Sequence, residues 1–205
     1  CHEIVAGVDE VGRGALFGPV VAAAVILSEE ASQQLLQEGV TDSKLLSAKQ
    51  REQLTQRIKT MALDYQIGYA SVREIDRLNI LQASLLAMKR AVTRLKIKPH
   101  LCLIDGNQRI PGLLVHQQTV IKGDQKSTAI ASASILAKVW RDALITRLAT
   151  RYPQYGLATN KGYGTSPHRQ ALQKWGATPY HRQSFSPCAK ATQPNPTGLT
   201  PDNFL

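Results

Sequence analysis

An apolar run, Ile4 to Val8, ends abruptly in two adjacent carboxylates, Asp9 and Glu10, and a Gly12-Arg13-Gly14 turn follows at once. The run predicts a buried strand, and burying charge at its end is costly unless something compensates. A metal ion would compensate. The glycines let backbone come very close to a ligand, so the pattern points to phosphate chemistry on a polymer. It also carries a geometric demand. Neighbours in a regular strand point to opposite faces, so the strand is expected to break at Glu10 if both acids are to reach one metal site, and Gly12 makes room for the break.

Lys and Arg outnumber Asp and Glu 25 to 15, a formal charge of +10, which suits a polyanionic partner, nucleic acid first of all. Charge alone leaves open a basic protein with no such partner. The 205 residues are enough for one substantial core. The strongest apolar run, Val20 to Leu27, falls far short of the ~20 residues that span a bilayer, and no charged-then-apolar leader precedes it. Neither a membrane span nor a secretory signal is therefore expected. The chain opens at Cys1 without a methionine, so a few native residues are expected ahead of it. Cys1, Cys102 and Cys188 are too few and too scattered for a disulfide framework or a zinc site. Cys102, inside an apolar run, reads as core, and a reducing cytoplasm is the expected setting.

Val20 to Leu27 predicts a second strand and Tyr65 to Val72 a third; Leu101 to Asp105 and Gln117 to Ile121 predict two more. Helices are expected over Ser28 to Glu38, from the capping-box spacing at Ser47 to about Leu63, from Asn79 to Lys96, and from Lys126 to Tyr152. Ala131-Ser132-Ala133-Ser134 allows close packing on a sheet. Arg90, Arg94, Lys96 and Lys98 read as a solvated basic face. Beyond Ser186 the periodicity is lost, and a mobile or loosely draped tail is expected. The whole is an α/β or α+β layered domain.

Three acidic positions each follow an apolar strand: Asp9-Glu10, Asp105 and Asp124. If those strands are parallel, the acids meet at one edge of the sheet, where open α/β sheets place their sites. Four carboxylates there cannot all stay ionised without cations. Hard oxygen ligands favour Mg²⁺ or Mn²⁺. Asp105 alone could be a turn residue and Asp124 a helix cap. Asp142 rivals Asp124, but 18 positions along one helix is roughly 27 Å, too far to serve the same ions.

Asp9-Glu10-Val11-Gly12-Arg13-Gly14, Asp42-Ser43-Lys44, Asn79-Ile80-Leu81, Asp105-Gly106, Lys122-Gly123-Asp124 and Ala133 to Val139 occur in order, followed by Lys161-Gly162-Tyr163-Gly164-Thr165 and His181-Arg182-Gln183-Ser184-Phe185. With these motifs the chain resembles ribonuclease HII, the type 2 ribonuclease H, over about Ile4 to Pro187. The familiar first motif has alanine where this chain has Val11. The related ribonuclease HIII usually adds an N-terminal domain and lacks this tyrosine, so type HII is favoured.

The resemblance implies an α/β, ribonuclease H-like fold: a central five-stranded mixed sheet flanked by helices, with a helical C-terminal extension. It implies a catalytic domain over residues 1–150, an extension over 151–186 and a tail over 187–205. The implied activity cuts the RNA strand of RNA–DNA hybrids and nicks DNA 5′ to embedded ribonucleotides. It carries the metal-binding carboxylates onto Asp9, Glu10, Asp105 and Asp124, the Gly-Arg-Gly motif onto Gly12, Arg13 and Gly14, and a junction-sensing tyrosine onto Tyr163. Two Mg²⁺ or Mn²⁺ ions about 3.5–4 Å apart are expected, leaving 3′-hydroxyl and 5′-phosphate ends. Backbone at Gly12, Arg13 and Gly14 is suited to detecting a 2′-hydroxyl. Thr41, Ser43 and Lys44 suit a phosphate, or equally a solvated turn. Asn79 and Gln82 suit a contact with the DNA strand, with capping or plain exposure as the competing reading. Nothing demands a dimer, and a monomer is expected. Two alternatives stay open: another metal-dependent nuclease of the same fold, and a module that binds hybrids without cutting them.

Overall fold

In the computed structural model, residues 3–191 are described. They form two compact units, interleaved along the chain. The first comprises the described residues of Cys1–Val11, Val21–Tyr69 and Ser84–Trp140; the second comprises those of Gly12–Val20, Ala70–Ala83 and Arg141–Leu205. Among the described residues, no helix is long and apolar enough to cross a membrane.

A five-stranded sheet organises the first unit, with strands β1 (Val5–Val11), β2 (Val20–Ile26), β3 (Asp64–Ala70), β4 (Leu101–Asp105) and β5 (His116–Val120) in the order β3-β2-β1-β4-β5. β1 is antiparallel to β2 and parallel to β4, and β4 is parallel to β5, so the sheet is mixed, as expected. β2 is buried along its whole length, which explains why it reads as an unbroken apolar run and not as an alternation.

Helix α1 (Glu29–Gln37) starts on the Ser28 hydroxyl, and α2 (Ala48–Met61) has the Ser47–Gln50 capping box that its spacing predicts. Val21, Ala23 and Val25 of β2 meet Leu35, Leu54 and Ile58 of these helices, together with Ala131, Ala133 and Ile135. The last three belong to the long helix that begins at Thr128. On that helix the small side chains do what their size suggests. A β-carbon added at Gly7 of β1 would lie 2.2 Å from the Ala129 carbonyl carbon, so strand and helix backbones approach as closely as glycine permits.

Three local expectations are corrected. Val72 is not the end of a strand: Ser71 and Glu74 form a second capping box that opens α3 (Val72–Leu78). The tail expected from residue 187 begins in order, because Ser186–Ala189 form a short helix; the tail beyond residue 191 lies outside the described residues. Helix α4 runs Ile80–Arg94 and α5 Thr128–Ala149. Arg90 and Arg94 are not merely solvated. They donate at 2.9 Å to the carbonyls of Tyr69 and Ile67 on the edge strand β3.

Candidate active site

Two parallel strands deliver the acids. β1 and β4 pair from Val5↔Leu101 to Val8↔Ile104, so Asp9 and Glu10 follow the last pair on one strand and Asp105 on the other. Oxygens of these three carboxylates lie within 4.8 Å of one another. Asp9 is 5% exposed. Its burial holds the carboxyl well above the usual carboxylate range, and the charges of Glu10, Asp105 and Asp124 push in the same direction. Asp105 is fixed by the Gly123 amide, which donates to its Oδ1 at 2.7 Å.

The expected break at Glu10 does not occur. β1 stays paired with β2 through Glu10↔Ala22 and Val11↔Val21. The acids meet for another reason: on the β4 side the ladder stops at Val8↔Ile104, and Asp9 Oδ1 turns along the strand to accept the Glu10 amide at 2.7 Å. A continuous strand with one open edge therefore brings neighbouring acids together.

Asp124 stands outside that group of three. It lies in the 3₁₀ turn Gly123–Gln125 after β5, within electrostatic reach of Asp105, and its side chain is hydrogen-bonded to that of Asp42. Burial raises its carboxyl, Asp42 and Asp105 add to the rise, and Lys44 opposes it. Asp42 itself is buried, and its Oδ1 accepts the Lys44 amide at 3.0 Å. It opens the Asp42-Ser43-Lys44 motif, yet sequence reasoning gave it no role, because an aspartate before a hydroxyl residue reads as an ordinary turn.

The remaining phosphate candidates divide. Ser43 is buried, its hydroxyl 2.9 Å from that of Ser134. Thr41 is half-buried and Lys44 exposed. All donors in the acid cluster are hard carboxylate oxygens, a set that fits a hard divalent cation.

The second unit holds the other candidates. Gly12 is buried with φ +87°, and a β-carbon there would lie 2.2 Å from Arg141 Nε, so no other residue fits. Arg13 and Gly14 are exposed. Tyr163 is half-buried, with the Arg141 guanidinium 5.5 Å from its ring centre. Its main chain is tied on both sides: its amide donates to Asn160 O at 3.0 Å, and its carbonyl accepts from His168 Nδ1 at 2.9 Å. His168 Nε2 then lies 3.0 Å from His181 Nε2, and His181 Nδ1 accepts the Thr178 amide at 3.0 Å. The two ends fix complementary neutral tautomers, the proton on Nδ1 in His168 and on Nε2 in His181, so that His181 donates to His168. Burial depresses both imidazoles, that of His181 to about 3. Asn79 caps α4, its Oδ1 accepting the Gln82 amide at 2.9 Å, and Gln82 is exposed.

The fold recurs in solved structures. The chain is similar to the ribonuclease H2 of Pyrococcus horikoshii, with a TM-score of 0.77 and 28% identity over 92% of this chain and 96% of the other. The fold and site thus define a ribonuclease H. The model of the family Ribonuclease HII matches residues 6–188. Ribonuclease HII of Acaryochloris marina is 63% identical over 94% of this chain and 98% of its own, and that of Trichodesmium erythraeum 66% identical over 89% and 87%. The chain belongs to the ribonuclease HII family. Membership implies endoribonuclease activity on RNA–DNA hybrids.

Proposed function

We propose that the chain cuts the RNA strand of RNA–DNA hybrids and nicks DNA 5′ to embedded ribonucleotides, using two divalent cations, Mg²⁺ or Mn²⁺, held by Asp9, Glu10, Asp105 and Asp124. The observation that carries this reading is the meeting of three carboxylates within 4.8 Å at the ends of parallel strands. When bound, the ions supply Lewis acidity and an activated water for hydrolysis to 3′-hydroxyl and 5′-phosphate ends. The protein's part is placement. Asp9 and Glu10 offer oxygens from one strand and Asp105 from its neighbour, locked by the Gly123 amide. The charge of Asp105 acts on Asp124, which supports counting Asp124 among the residues that would hold the ions.

Substrate choice is assigned to the second unit. The Gly12-Arg13-Gly14 main chain reads the 2′-hydroxyl, and the Tyr163 ring packs on the sugar or base beside it. A β-carbon at Gly14 would meet nothing within 4 Å, so its absence matters to a ligand and not to the fold. Thr41, Ser43 and Lys44 are assigned to a phosphate, and Asn79 and Gln82, both exposed, to the DNA strand. In this reading residues 151–186 extend a catalytic region over 1–150 and supply Tyr163. The buried free thiols of Cys102 and Cys188 accord with a reducing cytoplasm.

The test compares three duplexes of one sequence: all-DNA, DNA with a single ribonucleotide, and an RNA–DNA hybrid, each with Mg²⁺, Mn²⁺ or chelator. Cleavage of the last two only, and only with metal, is expected. Equal cutting of the all-DNA duplex would overturn the reading.

A further inference from the structure

Two arginines in the second unit, Arg141 and Arg182, are fully buried, a rare place for this residue. Neither spends its guanidinium on a carboxylate in the hydrogen bonds that hold it; both grip main-chain carbonyls. Arg182 donates from Nη2 to Gly12 O at 2.6 Å, from Nη1 to Arg13 O at 2.7 Å and from Nε to Gly18 O at 3.0 Å. Arg141 donates to Phe17 O and Lys161 O at 2.7 Å and to Pro19 O at 3.0 Å. Five carbonyls of one short loop, at positions 12, 13, 17, 18 and 19, thus converge on two cations.

The consequence follows from peptide planarity. In a trans peptide, the carbonyl of one residue and the amide of the next point in opposite directions. Gly12 O shares its plane with the Arg13 amide, and Arg13 O with the Gly14 amide. With both carbonyls drawn onto one guanidinium, both amides face the other way, toward the side on which Arg13 and Gly14 are exposed. Two successive amides on one side form a concavity suited to an oxygen ligand. We propose that Arg182 is a positioning residue for substrate selection: it holds the Gly12-Arg13-Gly14 main chain so that the Arg13 and Gly14 amides present together to the ribose 2′-hydroxyl. This rests on the assignment of ribose sensing to that main chain.

The residue type fits the task. Guanidinium carries its donors in a rigid planar fork, whereas ammonium is a point charge on a flexible stem. Arg182→Lys therefore keeps the charge and most of the volume but cannot hold Gly12 O, Arg13 O and Gly18 O at once. Burial and the nearby Arg141 push the Arg182 guanidinium down to about 9, which still leaves it protonated at neutral pH.

The experiment uses the full chain with Asp9→Asn, so that substrate binds without being cut. Fluorescence anisotropy measures affinity for a duplex with one ribonucleotide and for the all-DNA duplex of the same sequence. Adding Arg182→Lys is expected to reduce the preference for the ribonucleotide about tenfold, the worth of one well-aligned hydrogen bond, while all-DNA affinity changes less than about twofold. A merely structural role would weaken both affinities alike and keep their ratio. A preference that survives Arg182→Lys overturns the role of Arg182 alone. No preference in Asp9→Asn itself overturns ribose sensing by the loop, and this proposal with it. Should Arg182→Lys not fold, amide relaxation in the unmodified protein decides. Order parameters near ~0.85 at Arg13 and Gly14 are expected for a clamped loop, and values below ~0.6 overturn it.

Discussion

Asp9→Asn gives the sharpest test of the acid cluster, because it should stabilise the metal-free protein while abolishing its chemistry. The carboxyl of Asp9 is held well above its ordinary value of 3.8 by burial and by Glu10, Asp105 and Asp124. An acid that titrates late in the fold takes up a proton on folding, so its stability contribution is present at low pH and is lost as pH rises above 3.8. At an effective dielectric of 20, each neighbouring charge at 4.8 Å repels an ionised Asp9 by about 3.5 kcal/mol. Asparagine keeps the acceptor for the Glu10 amide, 2.7 Å away, and removes the charge. Recovering about 2 kcal/mol of that repulsion should raise the melting temperature in chelator by about 4–8 °C in a chain of this size. The gap should close as the pH falls below 3.8, where the acid is protonated in both states. Added Mg²⁺ or Mn²⁺ should then reverse the order. The unmodified protein gains about 2.7 kcal/mol at a hundredfold excess over its dissociation constant, and Asp9→Asn gains little. Melting curves across pH, with chelator and with each ion, measure all of this. If Asp9→Asn melts lower than the unmodified protein in chelator, or if metal stabilises both equally, the picture of mutually repelling acids awaiting a cation is wrong.

Two further changes probe the scaffold. Gly7→Ala places a β-carbon 2.2 Å from the main chain of Ala129, and backbone cannot yield as a side chain can, so a loss of about 3 kcal/mol or more is expected in urea denaturation; a loss under about 1 kcal/mol would show that strand and helix are not in the described contact. His181, depressed to about 3 by burial and by His168, contributes stability that is complete above about 6.5 and is lost as pH falls from there toward 3, by up to about 1.4 kcal/mol for each pH unit. His181→Gln should be less stable at pH 7.5 but flatter with pH, and parallel curves for the two proteins would refute the neutral histidine chain.

Much of this was legible in the residues. The strands before Asp9 and Asp105 are short apolar runs, and their parallel pairing turns a one-dimensional spacing into a cluster; β5, His116–Val120, is mostly polar, and Asp124 follows it in a 3₁₀ turn. The Ser47 capping box marked its helix directly, whereas the one at Ser71 was hidden because Tyr65 to Val72 continues the look of a strand. The meeting of Asp9 and Glu10 without a strand break was not legible, since it depends on where the neighbouring ladder ends, a property of pairing and not of local sequence. Arg141 and Arg182 were equally hidden: arginine is ordinarily a surface residue, and all but one of their acceptors are carbonyls more than a hundred positions away in sequence. Likewise His168 and His181 are joined only by the fold, through a contact between two imidazoles 13 positions apart.

Arg90 and Arg94 also decide what the rim of the sheet can offer to other molecules. Ile67 and Tyr69 lie two positions apart, so their carbonyls face the same way along β3, the outermost strand on its side of the sheet. An open row of such groups is a template on which another chain can add a strand. Guanidinium groups from α4 already occupy two of them. The basic face thus acts as a guard against self-association as well as a source of positive charge, and changing both arginines to leucine would be felt first in the turbidity of concentrated solutions and not in catalytic rate.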